Sequence, residues 1–464
     1  MREYPVQFAP FFARMAAEGL PQVFIDHFAH YYDKLIRGDD GLIRERDILP
    51  VESLDDAGQL PERLAAAGRA AVGRTVIIKL NGGLGTSMGL TGPKSLLVVK
   101  EGLTFLDIIA RQAIDMGAPL LLMNSFATDA ESLAVLARYP ALHREMPLSF
   151  VQHKQPKIVA GDFSPAVWPA DPELEWCPPG HGDLYTALVT SGMLDRLLDA
   201  GYEYAFVSNA DNLGAVLDLG ILGYLADKRL PFLMEVADRT RADRKGGHLA
   251  RRPDGGLLLR EIAQCPADDQ DAFQDISRHR YFNTNNLWLP LPALRDTLAA
   301  RNHQLDLPMI RNRKTVDPRD PDSPPVYQLE TAMGSAIAVF PGAEAIRVPR
   351  SRFAPVKKTD DLLAVRSDAY ELTGDYRVVL AVERQGTPPA VELDGGHYRF
   401  VNDLDRAFAA GAPSLRACDH LRVEGPFEFG RGIVLRGDVA FRNATGECVP
   451  VPDGLSLADA VWPG

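Results

Sequence analysis

The stretch Lys79–Ser95, KLNGGLGTSMGLTGPKS, holds the densest chemistry in the chain. Gly82, Gly83, Gly85, Gly89 and Gly92 follow a short apolar run, Thr75–Leu80. Glycine admits positive φ and lets backbone N–H groups come close to a ligand. Successive N–H groups facing one way form a concave anion site suited to phosphate. Lys94 closes the loop with a mobile point charge. Two better-known phosphate loops do not fit. The pattern G-x-x-x-x-G-K-[ST] fails because Pro93 separates Gly92 from Lys94, and G-x-G-x-x-G fails because Met88 stands where glycine is needed. A nucleotide loop of a different kind is expected.

The loop resembles the nucleotide-binding signature of the eukaryotic-type UTP–glucose-1-phosphate uridylyltransferase (UDP-glucose pyrophosphorylase) family. Five later blocks resemble the same family in the same order: FVQHKQPKI from Phe150, PPGHGDLY from Pro178, SNADNLG from Ser208, FNTNNLW from Phe282 and VPRSRFAPVK from Val348. One glycine loop is weak evidence; six ordered blocks over roughly residues 75–370 are specific. The resemblance implies attack by a glucose 1-phosphate oxygen on the α-phosphorus of UTP, with release of pyrophosphate. Repulsion is the physical obstacle, since two unit negative charges ~4 Å apart cost about 4 kcal/mol at an effective dielectric near 20. Positioning and charge neutralisation are then the expected means of catalysis, without a protein nucleophile.

Carried onto this chain, the resemblance implies that Leu80, Asn81, Gly82 and Gly83 offer backbone contacts to the nucleotide and that Lys94 engages its phosphates. It places Gln152 on the uracil edge, where an amide supplies both a donor and an acceptor. Gly180 and His181 lie in a tight turn ahead of a helix, where N–H groups favour an anion and His181 could donate to the sugar phosphate. Asn209 and Asp211 follow a strand; Asn209 is assigned to the nucleotide, and Asp211 is the candidate Mg²⁺ ligand, a hard carboxylate oxygen for a cation that also takes phosphate oxygens. Asn285 matches the family's sugar-hydroxyl contact, and strict strand alternation puts Asn283 on its face and Asn286 on the other. Lys357 is the second phosphate clamp, expected to reach the α-phosphate as domains close.

The elements that must position these groups alternate between strand and helix. Thr75–Leu80, Leu120–Met123, Tyr204–Val207 and Phe232–Val236 read as strands, and Phe105–Met116 and Asp129–Arg138 as helices. Leu184, Leu188, Leu194, Leu197 and Leu198 fit one helix face. Such alternation predicts βαβ units in a Rossmann-like, mostly parallel mixed α/β sheet flanked by helices, with ligands at the carboxyl ends of the strands; the resemblance makes it a nucleotidyltransferase core, GT-A-like. Pro253-Asp254-Gly255-Gly256 predicts a hairpin turn, Tyr281–Leu289 a further strand, and Arg313–Pro325 an exposed loop. Residues 1–73 read as an α-rich lead-in with helices around Phe8–Leu20 and Gln22–Ile36, residues 74–375 as the catalytic domain, and residues 376–464 as a β-rich module. The glycine, apolar and charged mixture of Gly425–Phe441 suggests a small β-helix or sandwich there.

Composition bounds the partners. The chain has 464 residues, 50 Lys and Arg against 62 Asp and Glu, and a formal charge of −12. No basic excess exists to neutralise a nucleic-acid backbone, so an anionic ligand must be held by local positive groups. No 18-residue apolar run predicts a membrane span, and the N-terminal stretch lacks a signal-peptide core. Cys177, Cys265, Cys418 and Cys448 are too few and scattered for a disulfide framework, which points to the cytoplasm. UTP and glucose 1-phosphate are the expected partners, with homo-oligomers through the C-terminal module as a further option. Another sugar 1-phosphate (of galactose or an N-acetylhexosamine) and a non-catalytic nucleotide-sugar sensor are the alternative readings.

Overall fold

The computed structural model describes residues 4–142 and 146–463. Eight strands form the spine of the central sheet: β1 (Asp55–Asp56), β2 (Thr75–Asn81), β3 (Leu120–Asn124), β4 (Ser149–Val151), β5 (Tyr204–Asn209), β6 (Leu233–Asp238), β7 (Tyr281–Pro290) and β8 (Glu344–Arg347). Their order across the sheet is β1-β8-β6-β7-β5-β2-β3-β4. Only β7 runs against its neighbours, β5 and β6; the other pairings along this spine are parallel. The sheet is therefore mixed and mostly parallel, as the alternation predicts. Asn209 pairs with Leu80, so the ends of β2 and β5 open on the same edge.

Successive residues of β2 explain the layering. Val76 and Ile78 face one apolar cluster, packed with the helices Leu184–Thr190 and Met193–Asp199. Ile77 faces another, which includes residues of the helices Glu62–Ala71, Phe105–Met116 and Leu219–Lys228. Burial of both faces is what a parallel sheet requires. Among the described residues no helix is long and apolar enough to cross a membrane.

Four local expectations change. The leucine face from Leu184 to Leu198 belongs to two helices, because Gly192 stands between them at φ 70°. The stretch from Arg313 to Pro325 is only in part a loop: Met309–Thr315 and Pro325–Thr331 are antiparallel strands, and the charged loop is the short connection between them. The lead-in is not wholly helical, since β1 and the pair Leu49–Pro50 join the central sheet. Asn285 departs from strand geometry, with φ 58° where the register of β6 against β7 shifts. A bulge of this kind re-aims side chains, so simple alternation fails across Asn283–Asn286.

In the C-terminal region, Ala390–Leu393, Ser414–Glu424, Val434–Arg442 and Ser456–Pro463 pair in parallel in chain order. Phe427–Phe429 pairs in parallel with Val449–Val451 in a second small sheet. Parallel neighbours taken in sequence are successive coils, so of the two options the β-helix is the one built. Leu421, Phe429, Leu435 and Phe441 fill its interior. Residue 375 falls inside an antiparallel pair, Tyr370–Leu372 with Val378–Leu380.

Buried histidines set an acid limit on this fold. His27, His248 and His279 are buried, and the rings of the last two stack 3.9 Å apart. Burial pushes His27 down to about 4, and burial likewise holds His248 and His279 below the usual imidazole range. Below pH 6.5 the unfolded chain takes up protons that the fold refuses, so stability falls as pH drops from 6.5 towards the lowered values. His27 alone accounts for about 3 kcal/mol by pH 4. Urea unfolding at pH 7 and pH 5 should give a clearly lower midpoint at pH 5; equal midpoints would mean that these rings protonate freely in the native state.

Candidate active site

Residue Asn81 ends β2 with its side chain turned to structure: Nδ2 donates to Asn124 Oδ1 at 2.8 Å and to Ser132 Oγ at 2.8 Å. The side-chain amide nitrogen is thereby committed to holding the turn. Gly82 follows, and a Cβ there would come within 2.9 Å of the Gln152 amide. That close approach brings Gln152, carried just beyond β4, against the start of the glycine loop. Gln152 is fixed by its own backbone, whose N–H donates to Asn124 O at 2.8 Å.

The turn that carries His181 is held by two devices. Gly180 has φ 81°, and a Cβ there would meet Thr331 O at 2.6 Å, so only glycine fits. Asp183, buried within the same motif, accepts from the backbone N–H of His153 at 2.7 Å and from its Nδ1 at 2.8 Å. The segment after Gln152 and the segment after His181 are thereby pinned together. The Phe24 ring of the helix Gln22–Ile36 stacks on His153 at 4.1 Å, so this N-terminal helix braces the joint.

His181 itself is a neutral donor. Its Nδ1 accepts from the Met333 N–H at 2.9 Å, and burial, aided by Lys357, pushes its pKa down to about 4. A neutral ring that accepts at Nδ1 carries its proton on Nε2.

Asp211 is the centre of charge. Its Oδ2 meets Lys94 Nζ at 2.8 Å and Lys357 Nζ at 2.6 Å. Burial would raise its carboxyl, but the two ammonium groups outweigh burial and hold it below the usual range. Its Oδ1 is buried and has no hydrogen-bond partner among the described residues. Two cations face one anion, so the site is net positive in a chain of net charge −12. Lys357 and Lys94 meet on the same oxygen of Asp211.

A cavity of about 310 Å³ is lined by Leu80, Asn81, Gly82, Gly83, Lys94, Gln152, Gly180, His181, Asn209, Asp211 and Lys357. Every site residue named from sequence is present except Asn285, which does not line it. Asn285 is instead tied to Asn283, whose Oδ1 accepts its backbone N–H at 3.0 Å. Ser95 also lines the cavity, with a buried Oγ that has no partner among the described residues; its place directly after Lys94 was the available signal. Glu261 was not legible at all. Burial raises its carboxyl, opposed by a hydrogen bond from Asn283, so it joins the asparagine pair of β7. A larger cavity, about 740 Å³, between Tyr224, Lys228 and Phe340 shares none of these groups.

A glycine loop at the carboxyl edge of a parallel sheet, facing paired lysines over one buried carboxylate, defines a nucleotide-binding α/β enzyme of phosphate chemistry. Residues 25–436 match the family model described as UTP–glucose-1-phosphate uridylyltransferase. The chain belongs to that family. It is similar to the UTP–glucose-1-phosphate uridylyltransferase of Hordeum vulgare, 41% identical over 404 residues, covering 86% of this chain and 83% of the relative. Among solved structures, a UDP-glucose pyrophosphorylase variant from Leishmania major in complex with UDP-glucose is 43% identical with a TM-score of 0.92, covering 100% of both chains. A UDP-glucose phosphorylase from Trypanosoma brucei is 46% identical with a TM-score of 0.89, covering 98% of this chain and 99% of that one.

Proposed function

We propose that this protein transfers the uridylyl group of UTP to glucose 1-phosphate, forming UDP-glucose and pyrophosphate. The observation that carries the reading is the meeting of Lys94 and Lys357 on one oxygen of Asp211, in a cavity that Gln152 also lines. A sugar-phosphate oxygen attacks the α-phosphorus; a new P–O bond forms as the bond to the β-phosphate bridging oxygen breaks, and pyrophosphate leaves with the electron pair. Lys94 and Lys357 offset the repulsion between the two anions, and the Nε2–H of His181 donates to a phosphate oxygen without adding charge. Gln152 reads the uracil edge, and Asn285 is the residue that the family resemblance assigns to the sugar hydroxyls.

Asp211 is the residue that would hold Mg²⁺. Its buried, unpartnered Oδ1 fits, and no cluster of three His, Cys, Asp or Glu side chains forms a metal site among the described residues. A single carboxylate suits a cation that completes its shell with phosphate and water oxygens. When bound, Mg²⁺ supplies Lewis acidity at the phosphoryl oxygens. Three of the four cysteines are buried free thiols, which fits the cytoplasm. The strand Ser456–Pro463 ends the parallel stack and is the edge on which a second copy would add.

Pyrophosphate release should require UTP and glucose 1-phosphate together, and should slow when galactose 1-phosphate or an N-acetylhexosamine phosphate replaces the glucose compound. Binding of UDP-glucose without any release would make the chain a sensor and end this reading. In the same assay Gln152→Ala should shrink the preference for UTP over CTP by roughly tenfold or more.

A further inference from the structure

Several residues of the six blocks do not line the cavity, and four of them form one network. Asn212, Asn286, Trp288 and Arg352 converge on Glu235, a fully buried carboxylate in β6. Glu235 accepts from Arg352 Nε at 2.7 Å and Nη2 at 2.6 Å, from Asn286 Nδ2 at 2.9 Å and from Trp288 Nε1 at 2.8 Å. Asn212 joins through Asn286 and through the Arg352 carbonyl, to which its Nδ2 donates at 3.1 Å.

From Arg352 the network runs outward to the site. Asn212 Oδ1 accepts from the Ala354 N–H at 2.9 Å, Val356 N–H donates to Asp211 O at 3.1 Å, and Asn212 pairs with Pro355 as an isolated bridge. Arg352 Nη2 also donates to Val216 O at 2.8 Å. The segment 352–356 is thus sewn to the segment 211–216, and the next residue is Lys357. A buried ion pair is a poor source of stability, because desolvating both charges offsets their attraction; its better-attested use is to fix one arrangement. A two-pronged guanidinium–carboxylate contact fixes orientation as well as distance.

We propose that Glu235 is a positioning residue for nucleotidyl transfer: by holding Arg352 and Asn286 it sets the register of 352–356 against 211–216, and so the place of the Lys357 ammonium over Asp211. The inference rests on the reading of Lys357 as the phosphate clamp.

The test is a double-mutant cycle. Glu235→Gln keeps the shape and removes the charge; Asn212→Ala breaks the same seam without stranding a buried charge, and serves where the first variant does not fold. Each is made in the parent and in Lys357→Ala, with thermal unfolding as the check on folding and with kcat and KM for UTP measured separately. In the parent, kcat should fall roughly ten- to a hundredfold while KM for UTP changes less than about twofold. In the Lys357→Ala background the same changes should cost nothing further, because the group they place is gone. A folded variant with parental kcat, or losses that multiply with that of Lys357→Ala, overturns the proposal. Parental turnover in Lys357→Ala alone instead removes the clamp reading, and the inference with it.

Discussion

Lys357→Ala should lower kcat about 10²- to 10³-fold and leave KM for UTP within about threefold. The division follows from geometry. Lys94 leaves the glycine loop itself, whereas Lys357 enters on the segment after Val356, and both meet the same oxygen of Asp211. Asp211 Oδ2 pairs with both ammonium groups, at 2.8 and 2.6 Å, and its one negative charge leaves a net positive pair. On the proposed reading, ground-state nucleotide binding needs one of them. The second matters most when charge on the α-phosphoryl is shared between an entering and a leaving oxygen, which is the condition for raising kcat and not merely lowering KM. Steady-state kinetics with UTP varied at saturating glucose 1-phosphate gives both constants. Equal losses in kcat and in UTP affinity would mean that Lys357 binds the nucleotide uniformly and has no special part in the transfer.

The parts legible in the sequence were those where a residue type and a local spacing carry the chemistry. The glycine loop with Lys94, the Pro-Pro-Gly-His turn and the strand-end Asp211 all lie within a few residues of the backbone feature that makes them useful, and all line one cavity. What was not legible depends on partners distant in the chain. The bulge at Asn285 comes from the register of β7 against β6, which no local pattern specifies. Gly192 splits a leucine face that suits one helix, since periodicity counts side chains and does not see a single left-handed backbone residue. Glu235 sits in the run FLMEV and reads as the interior of a strand; its meaning appears only when Arg352, Asn286 and Trp288 arrive from other blocks. Asp183 was in view as part of a motif, but its bond to His153 joins two blocks that sequence order separates.

Asp211→Asn should separate binding from catalysis in opposite directions. Turnover should fall about 10²- to 10³-fold, the scale seen when one electrostatic element of a transition state is removed. Binding of UTP without Mg²⁺ should become tighter by roughly a fewfold to tenfold, since one unit charge at ~4 Å and an effective dielectric near 20 is worth at most about 4 kcal/mol, and solvent screening removes part of it. The sign follows from the charges on the page. In the parent, the carboxylate occupies both lysines and faces the incoming phosphates with like charge; the lowered pKa of Asp211 keeps it ionised throughout the neutral range. An amide of the same shape frees Lys94 and Lys357 for phosphate oxygens and removes the repulsion. The same change removes the negative charge that would hold Mg²⁺ and leaves a single neutral amide oxygen, a weaker ligand for a hard cation, so the gain should vanish, or reverse, when Mg²⁺ is added. Calorimetric titration of UTP into parent and variant, with Mg²⁺ and with a chelator, measures all four affinities. Weaker Mg²⁺-free binding in the variant would mean that Asp211 organises the two ammonium groups for phosphate instead of competing with it, and the electrostatic account of the site would have to be rebuilt around that role.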